Sequence, residues 1–149
     1  MTAGDKKALS IIADRVRNRR TGLLMMGGRY AFRRDVWGGT EIEPLLPVEL
    51  TGGQQSDLEP ILQPHVDLKS HYLLNISDKM EPKTAWARLH PLQGFTELGK
   101  RKDTAQAILQ TQGGQLILVG MDFGGATGGR SLAFAGDTTH YWVRDEESR

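Results

Sequence analysis

An amphipathic segment that runs straight into a short apolar stretch limits this chain more than any other feature. Residues 5–20 place Ala8, Leu9, Ile12, Ala13 and Val16 at spacings of three and four, so one face of a helix is apolar. Lys7, Arg15 and Arg19 fall mostly off that face. Gly22 stands just past the end, where a residue able to take positive φ usually stops a helix. Leu23-Leu24-Met25-Met26 follows at once and is closed by Gly27-Gly28. Consecutive apolar residues without alternation read as a strand buried on both faces. A helix feeding such a strand points to an α/β layered fold.

With 38% hydrophobic and 25% charged residues, the 149-residue chain can bury a core. It reads as one domain, with no internal repeat and no dividing linker. Residues 29–43 form a long connection whose Tyr30, Phe32 and Trp37 are expected to pack on the end of the sheet. Residues 44–50 read as a turn into a short strand, and 51–56 as a surface loop. Glu59-Pro60 and Gln63-Pro64 break any long helix, and residues 71–76 are a short apolar piece. Ser77 or Asp78 is placed to cap a helix over 82–89, which carries Trp86 and Leu89 on one side. The last third is β-rich. Residues 105–111, 116–121 and 130–135 read as three strands in consecutive sheet positions, with Gly113-Gly114 as the first turn. Residues 124–129, GGATGG, join the last two as a flexible hairpin-like turn. They do not form a phosphate loop, because no Gly-Lys-Ser/Thr follows and no helix opens there.

Charge and composition exclude several classes. The net charge is +1, yet residues 1–34 hold nine of the 19 Lys and Arg residues and only Asp5 and Asp14 among the 18 acidic ones. Such a basic front can attract a polyanion, or it can be a solvated helix face with acidic partners elsewhere. Tyr30, Phe32, Trp37, Trp86, Tyr141 and Trp142 lack the regular interleaving with Lys and Arg that base stacking uses, so nucleic acid is not the expected partner. No apolar run approaches the ~18–20 residues of a spanning helix, and no secretory signal opens the chain. The chain therefore reads as soluble, without membrane contact of its own and without an assignable compartment. The absence of cysteine removes disulfides, thiolate metal sites and cysteine nucleophiles together.

Three spaced motifs carry a resemblance. GLLMMGGRYAF at residues 22–32, then Trp37-Gly38-Gly39-Thr40 and Leu46-Pro47-Val48, form one motif. The others are WARLHPLQG at residues 86–94 and GGRSLAFAGDTT at residues 128–139. In order and spacing they resemble the runs of a group of large bacterial proteins that carry a domain similar to class I glutamine amidotransferases. Those proteins often add membrane segments or a von Willebrand A-type domain. The resemblance spans about residues 8–142. It implies a flavodoxin-like α/β sandwich with a mostly parallel sheet. It also implies that at least one strand-helix unit of the domain precedes residue 5 in the relatives, leaving here an exposed sheet edge for another chain or domain to cover.

Class I amidotransferases use a cysteine on a tight strand-to-helix turn, activated by a histidine, with backbone N–H groups holding the oxyanion. The equivalent turn here is expected at Gly27-Gly28-Arg29-Tyr30; there is no thiol there, and neither Ser nor Thr occupies positions 27–32. The implied domain is therefore non-catalytic, a binding or scaffold module of a larger protein. Asp137-Thr138-Thr139-His140 follows the strand at 130–135, and ligands of open α/β sheets bind beyond strand carboxyl ends. The relatives carry Trp where His140 stands. Asp137 suits an N-cap that accepts the N–H of Thr139 or His140. The candidate ligand-binding residues are thus Gly28, Arg29, Tyr30, Asp122, Asp137, Thr138, Thr139 and His140, with no cofactor called for. Two alternatives stand beside this reading. One is a metal-assisted hydrolase in which Asp122 and Asp137 converge with His140. The other is a polyanion-binding module using the basic residues from Arg15 to Arg34.

Overall fold

In the computed structural model, which describes residues 3–68 and 70–144, the helix and apolar strand at the front of the sequence are present as α1 (Ala3–Asn18) and β1 (Gly22–Met26). Ala13 and Val16 of α1 are buried, and Leu9 packs beside them. The chain reverses at Arg20, with φ 51°, and not at Gly22. A non-glycine residue in this region is strained and needs outside support. The support comes from residues 124–129: the Arg20 backbone N–H donates to the Thr127 carbonyl at 2.8 Å, and its Nε donates to the Ala126 carbonyl at 2.6 Å. The Gly129 N–H donates to the Val16 carbonyl at 2.8 Å, satisfying a carbonyl in the last turn of α1. A Cβ on Gly129 would stand 2.1 Å from the Thr21 carbonyl oxygen. The glycine-rich stretch is therefore a docking surface for the end of α1, which corrects the expectation of a merely flexible turn.

The main sheet contains β1, β3 (Leu62–Pro64), β5 (Gln106–Thr111), β6 (Leu116–Asp122) and β7 (Arg130–Phe134), in the order β1-β7-β6-β5-β3. Only β1 and β7 are parallel, while β7–β6, β6–β5 and β5–β3 are antiparallel. The expectation of a mostly parallel sheet is corrected accordingly. The reason lies in loop length: the short connections after β5 and β6 can only return the chain antiparallel. The fold is mixed α/β, and β5, β6 and β7 are adjacent in the last third. A separate two-stranded ribbon pairs β2 (Gln55–Ser56) with β4 (Phe95–Thr96).

Both faces of the sheet carry apolar clusters. On one, Val119, Met121 and Ala133 pack with Ala13 and Val16 of α1 and with Phe32, Leu45, Leu46 and Val48. On the other, Ile108, Leu118 and Phe134 pack with Leu74, Leu92 and Trp86 of α3 (Pro82–Ala87). Residues 107–111 of β5 are buried on both faces, helped by register shifts around Leu109. β1 differs from its expectation. It is an edge strand: Leu23 and Met25 pack inward, while Leu24 is 53% and Met26 39% exposed.

The segment 44–50 forms a 3-10 turn at Glu43–Leu45 and then an irregular run, not a strand. Leu45, Leu46 and Val48 are nevertheless fully buried, so that segment plugs the core without sheet hydrogen bonds of its own beyond the bridge from Val48 to Arg101. Helix α3 begins with Pro82 after Glu81, and Ser77 instead accepts the Lys79 N–H within its own turn. Residues 31–37 turn through Phe32, whose φ is 56°, into α2 (Arg34–Trp37). No described helix is long and apolar enough to cross a membrane.

Candidate functional site at the ends of the parallel strands

The parallel pair β1 and β7 delivers two loops to one end of the sheet. Gly27-Gly28 leaves β1, and Ala135-Gly136-Asp137 leaves β7. The backbones there touch. Gly27 N–H donates to the Gly136 carbonyl at 3.2 Å, and a Cβ on Gly27 would stand 1.9 Å from the Ala135 carbonyl oxygen. That carbonyl accepts the Thr96 N–H at 2.9 Å, which brings β4 into the same corner. Gly28, with φ 135°, donates its N–H to Thr96 Oγ1 at 2.9 Å. The same hydroxyl, 1% exposed as a residue, faces the Gln55 carboxamide, with Gln55 Nε2 donating to it at 2.9 Å. The corner is therefore built chiefly from main chain and is braced by one buried threonine.

The Asp137 turn lies against this corner. A Cβ on Gly28 would be 3.8 Å from Asp137 Oδ2. The Asp137 side chain is exposed, and its carboxylate makes no hydrogen bond among the described residues. The expected N-cap is thus absent, because the first turn of α4 (His140–Arg144) is closed differently. The Thr138 and Thr139 carbonyls accept the N–H groups of Tyr141 and Trp142 at 3.2 and 3.0 Å. The Thr138 hydroxyl accepts the Gln93 N–H at 3.1 Å, which ties the turn to residues 90–94. His140 is exposed with its ring tilted against Tyr141 at 4.1 Å. On the opposite loop, Arg29 and Tyr30 are exposed and in contact, the guanidinium 5.7 Å from the ring centroid. Trp37 Nε1 donates to the Tyr30 carbonyl at 3.0 Å and holds that loop down.

Gly28, Arg29 and Tyr30 on one loop and Asp137, Thr138, Thr139 and His140 on the other thus leave the same end of the sheet. Asp122 does not join them. It ends β6, opposite Arg130 at the start of β7, and its carboxylate pairs with the Arg130 Nε at 3.0 Å. At ~3.3 Å per residue, the length of β7 puts roughly 13 Å between that pair and the far end. Asp122, Asp137 and His140 therefore do not converge, and among the described residues no group of three or more His, Asp or Glu could hold a metal ion. Asp122 belongs instead to a small cleft of about 80 Å³ with His71, Tyr72, Gln106, Gly120 and Arg130. Burial lowers the His71 pKa, against the opposing charge of Asp122 and together with that of Arg130.

Three of the nine basic residues of the front are engaged within the fold. Arg19 pairs with Asp14 at 3.0 Å and Arg33 with Asp35 at 2.5 Å, while Arg20 is turned into the 124–129 loop. Tyr30, expected to pack on the end of the sheet, is instead 61% exposed, while other aromatic residues serve packing. Phe32 is fully buried, Trp86 is 7% exposed, and Trp142 meets the rings of Trp86 and Phe134 edge-on. Sequence reading missed Thr96 and Gln55. Two-residue strands leave no periodicity, and a threonine that satisfies a glycine N–H looks like any other threonine. No protein-family model matches the chain, and curated proteins and solved structures likewise give no match.

Proposed function

We propose that this chain is a glutamine amidotransferase-like domain without amidotransferase chemistry, in a flavodoxin-like arrangement, which acts as a binding or scaffold module of a larger protein. The observation that carries the reading is the meeting of the Gly27-Gly28 and Gly136-Asp137 turns at the carboxyl ends of the one parallel strand pair. Ligands of α/β sheets bind at that place. Two facts of composition and geometry support the non-catalytic half. The chain has no cysteine. The backbone of the turn is committed as well, since the Gly28 N–H, the donor placed for an oxyanion, is occupied by Thr96 Oγ1. What the corner offers a ligand is an exposed carboxylate at Asp137, the Arg29 guanidinium and the Tyr30 ring. The motif resemblance adds the choice of probe.

The test is to incubate the full chain with L-glutamine, to measure glutamate and ammonia, and to record amide NMR shifts. Absence of hydrolysis above buffer, with shifts confined to residues 27–30 and 136–140 and lost in Asp137→Ala, supports the proposal. Hydrolysis at an enzyme-like rate would sink it.

A further inference from the structure

The two edges of the main sheet are built differently. At one edge, β3 has only three residues and ends on Pro64. Short length, proline and bulges are the devices that keep an edge from pairing with another chain. At the other edge, β1 has none of them. Gly22–Met26 carries no charge and no proline, and it pairs with β7 in unbroken register over all five residues. Among the described residues, no strand lies on its outer side. Apolar side chains flank this open edge in both layers: Leu24 and Met26 on one face of the sheet, and Ile12 of α1, 39% exposed, in the layer on the other.

We infer that this edge pairs with a second copy of the same chain, β1 against β1 in antiparallel register centred on Leu24, to form one continuous ten-stranded sheet. The sequence of the strand is complementary to itself in that register. Leu24 meets Leu24, Leu23 meets Met25, and Met26 meets Gly22. The last pair matches a long side chain to an empty place, since a Cβ at Gly22 would have nothing within 4 Å. A twofold axis normal to the sheet puts both α1 helices on the same face, running antiparallel. Lys6 and Leu9 border a cleft with Gly39, Thr40 and Glu41. At 100° per residue, Asp5, Ala8, Ile12 and Arg15 then lie on the opposite flank of the buried stripe, toward the open edge. Antiparallel pairing about Ser10 sets Ala8 of each copy beside Ile12 of the other, and Asp5 beside Arg15, so charge is complementary at both ends.

The same axis serves both layers. The Val16 carbonyl rests on Gly129, one residue before the Gly22–Arg130 pair. From that level to Leu24 the strand climbs about 10 Å. The antiparallel helix covers that climb in between six and seven residues, roughly from Val16 back to Ser10. The inference does not depend on what the strand ends bind.

Sedimentation velocity of the full chain, from about 1 to 100 μM, is the first measurement. The expected species has twice the 16.5 kDa chain mass. Leu24→Lys should raise the dimer dissociation constant about a hundredfold, because two buried leucines are lost. Val66→Lys, at a site 76% exposed and far along the chain, should leave it unchanged. The cysteine-free background permits a second readout: Leu24→Cys should form an intermolecular disulfide under mild oxidation, while Val66→Cys should not. That readout stands even if the lysine variant misfolds. A chain that stays monomeric at 100 μM, that associates only with a different protein, or that dimerises with no response to Leu24→Lys and no Leu24→Cys link overturns the inference.

Discussion

Gly27→Ala tests whether the strand-end corner is held by contact between backbones. The φ of Gly27 is open to any residue, so the substitution adds no torsional strain, and its effect is steric alone. The new methyl would stand 1.9 Å from the Ala135 carbonyl oxygen and 2.6 Å from its carbon. Both are main-chain atoms, and no rotamer change can move them. Restoring van der Waals distance requires the two backbones to part by more than about 1 Å. Forcing a methyl into a packed site costs about 1–3 kcal/mol. The same displacement breaks the 3.2 Å bond from Gly27 to Gly136 and strains the 2.9 Å bond from Gly28 to Thr96. Each such bond is worth about 1 kcal/mol. The total is roughly 3–5 kcal/mol, a large fraction of the ~5–15 kcal/mol that a domain possesses. Urea denaturation followed by tryptophan fluorescence reads it directly. Gly52→Ala is the control, because a Cβ there meets nothing within 4 Å and its φ is not positive. It should be neutral, or stabilising by about 0.4–1 kcal/mol through the unfolded chain. If Gly27→Ala lies within about 1 kcal/mol of Gly52→Ala, the corner yields easily and the claim that main-chain contact builds it is wrong.

Three further outcomes follow from named contacts. Thr96→Val keeps the shape of a fully buried side chain but strips the hydroxyl from the Gly28 N–H and from Gln55. It should lower the urea-derived stability by about 1–3 kcal/mol, and the Gly28 amide should exchange with deuterium faster. Trp86→Phe leaves the Leu74 carbonyl without its 3.1 Å donor in a buried site and should cost a similar amount by the same assay. His71 titrates below its ordinary value because it is partly buried, so below pH ~6.5 the unfolded chain binds protons that the folded chain does not. Its contribution is complete above that pH and is lost as the pH falls toward the folded-state value. His71→Asn keeps an acceptor for the Leu73 N–H and should flatten the fall of the denaturation midpoint as the pH drops below about 6.5.

What could be read beforehand was whatever periodicity or apolar continuity encodes. The α1 stripe, the β1 run and the three strands of the last third all follow from it, as does the adjacency of β5, β6 and β7. The failures share a cause. Direction of pairing is not written in a strand's residues, and it was the short connections after β5 and β6 that made most of the sheet antiparallel. The run Leu23–Met26 looked doubly buried because an edge strand with nothing beside it has the same letters as a central one. Nothing local marks Arg20 as the helix terminator, because its left-handed φ is imposed by partners more than a hundred residues away. The Gly27–Tyr30 and Asp137–His140 loops could be assigned to strand ends from sequence. Their meeting at one end depends on β1 and β7 being parallel neighbours, and that same topology sends Asp122 to the other end.

The parallel pair is closed at both ends by glycine. At the start of β7, Gly129 lies against the Val16 and Thr21 carbonyls. At its far end, Gly27 lies against Ala135. Each contact is closer than any side chain could be, and each is between segments distant in sequence. Among the described residues β1 has no strand on its outer side, so these two contacts, the inward packing of Leu23 and Met25 and its five-residue ladder with β7 seat it on the sheet. This arrangement couples the edge to the strand-end corner. Anything that pairs with the outer side of β1 also fixes the position of Gly27 and Gly28, and hence their distance to Asp137. A dimer through Leu24 would therefore hold two such corners in fixed relation, with their loops pointing in opposite directions because the paired strands are antiparallel. Such a dimer would place its two strand-end corners at opposite ends of one sheet. Weakening the pairing at Leu24 should then increase deuterium exchange at Gly27 and Gly28, while the amides of β5, whose neighbours are unaffected, keep their protection.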